Sequence, residues 1–420
     1  LANTTGGYNS AYGVLSLQAN TEGNYNVSMG YEALQANTTG SSNTAIGMYA
    51  GKSNTTALDN TAVGYSALNA NTTGAQNTAV GKGALTSNTT GTANTAGGVS
   101  ALSVNTTGIE NTVYGAYALD ANTTGSYNVA MGSYALTADT LGARNVAIGR
   151  SALQAQNFTS GTSVYNTAVG YGAGSAVTTG TSNTLIGGLA GDAITTGGSI
   201  VAIGYSALGS AAIGTGNIGV GANAGAVCTG EYNIFMGVNA GDTTTTGNRN
   251  VIIGTNCDAA AAGGNNSIVI GDTVAGVAAD NFTFGNAGTD SNIAFGATSI
   301  TAPSDSRLKE DVATSTAGLS FINDLRPVTY KWKKEKDIPT VLDAYVEGSE
   351  TRLMNENTNH GFIAQEVKAA IDAHPELKDG FDMWMEKDSD GQQRVAPSAL
   401  VPMLVKAIQE LTARITTLEG

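Results

Sequence analysis

Ser304 stands five residues before Lys309 in the run Ser304-Asp305-Ser306-Arg307-Leu308-Lys309, and that pair of residue types can do chemistry. A serine hydroxyl is a poor nucleophile until a base removes its proton, and a lysine whose pKa is lowered by burial can be that base. A tight turn would bring the two groups together. Asp305 could orient such a turn, and His360 offers a second group able to carry protons. Residue types alone leave a plainer alternative open, with Ser304 as a helix N-cap and Arg307 and Lys309 as a solvated basic patch. Elsewhere reactive groups are sparse. Residues 1–303 hold 13 scattered acids, with no paired carboxylates that could serve glycoside hydrolysis. Cys228 and Cys257 could pair, but a pair of small buried hydrophobes is the favoured reading. No metal site and no cofactor is expected.

The elements that must position these residues lie in two regions of different composition. The whole chain of 420 residues carries 56 Gly, 12% charged residues and a formal charge of −14. Disorder does not fit, because disordered chains combine high charge with low hydrophobicity and this chain is 41% hydrophobic. Six prolines and no Gly-every-third pattern exclude collagen. No run of about 20 apolar residues is present to span a membrane as a helix, and the acidic balance argues against nucleic acid and anionic membranes as partners. Residues 1–303 contain 5 Lys and Arg and 50 of the 56 Gly, whereas residues 304–420 contain 14 Lys and Arg, 20 Asp and Glu, both Trp and both His. A domain boundary therefore falls near residue 303. The chain starts at Leu1, as expected of a fragment or processed product, and no secretory signal is visible.

The first region is one repeat. Glycine recurs every 17 residues from Gly13 to Gly149, resumes at Gly170 after a 21-residue step, and continues to Gly271 with one step of 16. Asn precedes most of these glycines by four residues, Leu follows by four, and a second Asn opens an Asn-Thr-Thr-Gly turn, as at Asn71 to Gly74. Short apolar segments separated by Asn, Gly and Thr predict a β-solenoid whose coils stack like residue over like. Asn and Gly are expected to take the left-handed corners. About 17 coil steps at roughly 4.8 Å would give a rod on the order of 80 Å long. One thin coil buries little, so the aliphatic stripe calls for a second covering face, which homotrimerisation would supply. Asn145-Val146-Ala147-Ile148-Gly149 and Ser267-Ile268-Val269-Ile270-Gly271 resemble the S/N-V-A-I-G element of the left-handed parallel β-roll in trimeric adhesin heads.

The Asn-Thr-Thr rows could bind ice or a repetitive glycan, or be glycosylated, but ladders that satisfy turn backbones are the favoured reading. Tyr31, Tyr65, Tyr114, Tyr117 and Tyr134 could stack on sugars; capping the outside of coils is favoured.

The second region reads as mixed α/β. Leu319 to Leu325 predicts a short amphipathic helix, Pro327 to Trp332 a strand, and His360 to Val367 a strand-to-helix unit ending before His374-Pro375. Val401, Leu404, Ile408, Leu411, Ile415 and Leu418 alternate steps of 3 and 4, which is a heptad seam. Four motifs occur in order: S-D-x-R-L-K, L-R-P-V-x-Y-x-W, H-G-F-I-A-Q-E-V and L-V-P-M-L-V-K-A-I-Q-E-L. Together they resemble the C-terminal intramolecular chaperone domain of phage tail spikes and fibres, first described on endosialidases. The resemblance implies a domain that drives trimerisation and folding of the preceding fibre and then cuts itself off. It places the scissile bond at Pro303–Ser304, with Ser304 as nucleophile and Lys309 as the partner that activates it.

The expectation is a mostly β protein. It has a trimeric β-roll rod (1–296), a junction (297–303) and a small α/β chaperone and autoprotease domain (304–420) ending in a coiled-coil helix. As a virion tail-fibre protein it would bind a host surface glycan or protein receptor, with other tail proteins as partners and neither nucleic acid nor membrane. A bacterial trimeric surface adhesin, exposed at the cell surface, and an ice- or glycan-binding solenoid are the alternatives.

Overall fold

A computed structural model describes residues 3–210, 213–297, 299–377, 381–387 and 389–419. The chain separates into two compact units, Leu1–Pro303 and Ser304–Gly420.

The first unit is a parallel β-solenoid. Its described residues hold one sheet of 18 strands, most of them three residues long. Each strand pairs with its counterpart one repeat on, so that Thr61, Ala62 and Val63 oppose Thr78, Ala79 and Val80. The register step widens to 21 between Val146–Ile148 and Thr167–Val169, and narrows to 16 between Ile218–Val220 and Ile234–Met236. The last pairing is antiparallel, Asn281–Asn286 with Ser291–Ala294, and Thr301 bridges back to Asn292. That reversal blunts the end of the stack, which would otherwise offer an open edge. Of the expected junction, Thr298 lies outside the described residues.

Packing inside the coil follows the consensus. The middle residue of each three-residue strand from Val27–Met29 to Val251–Ile253 is buried inside the coil, and the Ala-Leu pair fills the interior with it: Ala79, Ala84 and Leu85 are all fully buried. The repeating glycine is required twice over. Gly64 has φ +133°, and a Cβ there would lie 2.6 Å from the carbonyl oxygen of Gly81 in the next coil.

The asparagines behave differently from expectation. No ladder asparagine from Asn20 to Asn183 takes a positive φ; the left-handed corners fall on Leu85 (φ +50°), Ser100 (φ +53°) and Tyr117 (φ +57°). A left-handed bulky residue costs on the order of 1–2 kcal/mol, which burial of the leucine side chain offsets. The asparagines are instead buried and hydrogen-bonded in two ladders. In the first, Asn88 Nδ2 donates to Gly91 O (2.9 Å) and to Asn71 Oδ1 of the preceding coil (2.9 Å). In the second, Asn94 N donates to Asn77 Oδ1 (3.0 Å), while Asn94 Nδ2 reaches Gly108 O (2.8 Å). Asn is chosen because one short amide both donates and accepts along the stack, satisfying backbone that would otherwise be buried unpaired.

The same geometry answers the sequon reading, since Asn71, Asn88 and Asn105 are buried with Nδ2 already donating twice. The first Thr of each turn is also used, Thr72 Oγ1 donating to Thr89 O (3.1 Å), which leaves only the second Thr fully outward. Cys228 and Cys257 are free and buried.

The described residues of the second unit hold three α-helices: α1 (Leu319–Asp324), α2 (Ala364–Ala373) and α3 (Val401–Glu419). Two small antiparallel sheets accompany them, Val328–Tyr330 with Asn359–Gly361 and Trp384–Glu386 with Gln393–Val395. Phe321 of α1, Val367 and Ile371 of α2, Met383 and Leu400 form the core. No helix among the described residues is long and apolar enough to cross a membrane.

Candidate self-cleavage site

Ser306–Leu308 forms a single 3-10 turn, and its N-cap is Asp305 rather than Ser304. Asp305 Oδ1 accepts from Arg307 N (2.9 Å), and its carboxylate also receives Arg307 Nε (3.0 and 3.1 Å). The Arg307 guanidinium and backbone N–H hold the Asp305 carboxyl below the usual carboxylate range. A charged cap carrying its own counterion outcompetes a serine cap, so the Ser304 hydroxyl is left for another partner.

That partner is Lys309. Its Nζ donates to Ser304 Oγ at 2.7 Å, across the turn that Asp305 fixes. The chain thus brings together the two residues that the resemblance singled out, across a turn capped by Asp305. Both are exposed within the single chain.

His360 sits elsewhere in the unit. It occupies the middle of the strand Asn359–Gly361, opposite Thr329, and lines a cleft of about 780 Å³ with Tyr330, Trp332, Phe362 and Arg394. Among the described residues no hydrogen bond joins His360 to Ser304, Asp305 or Lys309. The other histidine, His374, is largely buried between α1 and α2, with Nε2 2.8 Å from Asp324 Oδ2 and Nδ1 2.9 Å from Glu376 Oε1. Those two carboxylates raise its pKa, Asp324 contributing most. No group of His, Cys, Asp and Glu among the described residues could hold a metal ion.

Residues 304–375 match the model of the family described as chaperone of endosialidase. They form a chaperone-of-endosialidase domain, and the match begins at Ser304 itself and takes in Asp305, Lys309 and His360. What precedes that domain is the parallel β-solenoid of 17-residue repeats. No curated protein and no solved structure matches the chain. The likeness of the solenoid to trimeric adhesin heads therefore rests on its S/N-V-A-I-G strands.

Proposed function

We propose that this chain is a phage tail-fibre segment whose β-solenoid serves attachment to a host surface and whose C-terminal domain assists folding, directs trimer formation and cuts the bond between Pro303 and Ser304. The observation that carries the cleavage reading is the 2.7 Å contact from Lys309 Nζ to Ser304 Oγ at the first residue of the chaperone match. Chaperone-of-endosialidase domains imply trimer formation. Val401, Leu404, Ile408, Leu411 and Ile415 of α3 are 43–63% exposed in the single chain and form a seam for helix association. Val or Ile at a with Leu at d by itself favours two strands, so the count of three rests on the domain and the rod and not on this seam. The virion is the corresponding location.

The cleavage chemistry uses Ser304, Lys309 and water, and it requires assembly to bury Lys309, which is exposed in the single chain. Lys309 in its neutral form accepts the proton of Ser304 Oγ as that oxygen attacks the carbonyl carbon of Pro303. The C–N bond to Ser304 breaks, the nitrogen takes the proton back from Lys309, and an ester joins Pro303 to Ser304 Oγ. Water hydrolyses the ester, leaving a carboxylate on Pro303 and restoring the serine hydroxyl. His360 is the reserve proton carrier in this scheme and would have to reach the bond from another chain or after rearrangement.

Denaturing mass analysis tests the reading. Wild type should yield fragments 1–303 and 304–420, whereas Ser304→Ala and Lys309→Ala should each remain a single chain. Equal full-length mass for wild type and Ser304→Ala sinks self-cleavage.

A further inference from the structure

The first Asn ladder breaks off at the coil whose register step widens to 21 residues, and the break has a shape. The first Asn column runs from Asn20 through Asn122 and is then occupied by Asp139 and Gln156. Asp139 Oδ1 accepts from Gly142 N and from Phe158 N (3.1 Å each), and its Oδ2 accepts from Gln156 Nε2 (2.8 Å). A carboxylate supplies acceptors on both sides, and here it ties down the start of the inserted segment that lengthens this coil to 21 residues. Phe158 and Val164 are buried at the two ends of that segment, while Thr159, Ser160 and Gly161 between them are exposed. The insertion is thus anchored at both feet and presents a hydroxyl-rich tip.

Beside it stands Arg144, one of 5 basic residues in a region with 13 acids. Its guanidinium lies over the rings of Tyr127 (5.2 Å) and Tyr165 (5.9 Å) and donates through Nη1 to Ser163 Oγ of the insertion. Among the described residues of the solenoid the ion pair is Lys52 with Glu32, and no carboxylate pairs with Arg144. A cation that could have been neutralised by an abundant acid is held in place by aromatic faces, with donors left over.

We propose that this irregular coil is a binding site for an acidic polysaccharide, with Arg144 receiving a sugar carboxylate, Tyr127 and Tyr165 packing on sugar faces, and Thr159 and Ser160 supplying hydroxyl contacts. A guanidinium suits a carboxylate because its planar fork donates two parallel hydrogen bonds. Exposed tyrosines offer rigid apolar faces with a polar tip. A local rule broken and then carefully re-anchored is where function is expected on an otherwise repetitive scaffold. The proposal rests on the attachment reading and names the surface that would perform it.

The test is calorimetric titration of the full chain with short oligogalacturonate, oligosialic acid and hyaluronan fragments, against a neutral maltooligosaccharide of equal length. At least one acidic sugar should bind about tenfold or more tighter than the neutral one, and more weakly as salt rises. Arg144→Ala and Tyr165→Ala, both exposed and expected to keep the wild-type melting temperature, should each weaken it about tenfold. Arg150→Ala and Arg249→Ala should stay within about twofold, since neither arginine adjoins the insertion. Binding to none of the acidic sugars overturns the proposal, and so does an equal loss in Arg150→Ala, which would mean diffuse charge. Adsorption of the chain to a panel of bacterial strains separates the two ideas. Adsorption undiminished in Arg144→Ala sinks this site and leaves attachment standing. Sugar binding without adsorption to any strain leaves the site and sinks attachment.

Discussion

Asp139 shows how one substitution in a ladder changes the electrostatics of a coil. Asn122 Nδ2 donates down the stack to Asn105 Oδ1 (3.0 Å), but Asn122 Oδ1 is buried with no hydrogen-bond partner, because a carboxylate in the next coil has no proton to give. Burial raises the Asp139 pKa above 3.8, only partly opposed by the donors Gln156, Phe158 and Gly142. A carboxyl whose folded pKa is raised contributes stability below its unfolded pKa, and that contribution is lost as pH rises through the folded value. The solenoid should therefore lose stability from this group as pH rises from about 4 through the folded pKa. In Asp139→Asn the loss should vanish, so that thermal melts of the variant gain on wild type as pH rises. A difference that stays constant with pH would show that Asp139 carries no such charge cost. At the same scale, the Ser304–Lys309 pair came from the resemblance carried by the S-D-x-R-L-K run, because a serine and a lysine five residues apart are common, and the turn that joins them was not legible. Both Ser304 and Asp305 are good caps, and only the side chain of Arg307, which pairs with Asp305, decides between them.

Helix α1 is short, and its hold on the domain depends on what meets its two ends. Leu319 N at the start donates to Glu410 Oε2 of α3 (2.9 Å), and Asp324 at the finish meets His374, the C-cap of α2. The His374 ring also packs edge-on against Phe321 (5.4 Å between centroids), so protonation couples directly to the core. Its pKa is raised from 6.5 by Asp324 and Glu376. The resulting stability is fully present below the unfolded pKa and is lost as pH rises through the folded one, which lies above 6.5. Urea melts of the C-terminal domain should thus weaken from pH 6 to pH 8.5, and His374→Gln should flatten that dependence; an unchanged slope in the variant would refute the assignment. Periodicity made the helices readable: steps of 3 and 4 placed α3, and Leu319–Leu325 placed α1 to within a residue. The hairpin Trp384–Glu386 with Gln393–Val395 escaped, because three-residue strands are too short to show alternation and their faces are set by packing on α2. The left-handed corners escaped for a related reason. Leu and Ser have no local preference for that conformation, and the stack alone imposes it.

At the scale of the whole molecule, the solenoid's outward strand face is the feature that a single chain does not explain. The third residue of successive strands runs Met131, Ile148, Val169, Ile186, Ile203, Val220, Met236, with no charge among them. Ile148, Ile186 and Ile203 are each 37–38% exposed, although the inward residue beside each is fully buried. A contiguous apolar column of this length facing water marks an interface. The partner must present apolar groups at the same coil-to-coil spacing, over the same length, without charge. A second copy of this chain in register meets that requirement, and closed symmetry then fixes the number of copies. The chaperone domain's implied trimer gives that number as three. Like charges repeated every coil would repel along each column and across the interface, which accounts for the low charge of residues 1–303 beside the charge-rich domain that follows. Burying each isoleucine contributes about 1.5–3 kcal/mol, so Ile148→Asp combined with Ile186→Asp should raise the trimer dissociation constant by on the order of 1000-fold or more. Sedimentation should then show a monomer with wild-type circular dichroism, because both changed side chains point away from the coil interior. Thr73→Asp, on the outward turn row, should leave the mass at three chains. If the double variant still sediments as a trimer, the strand face is not where the copies meet.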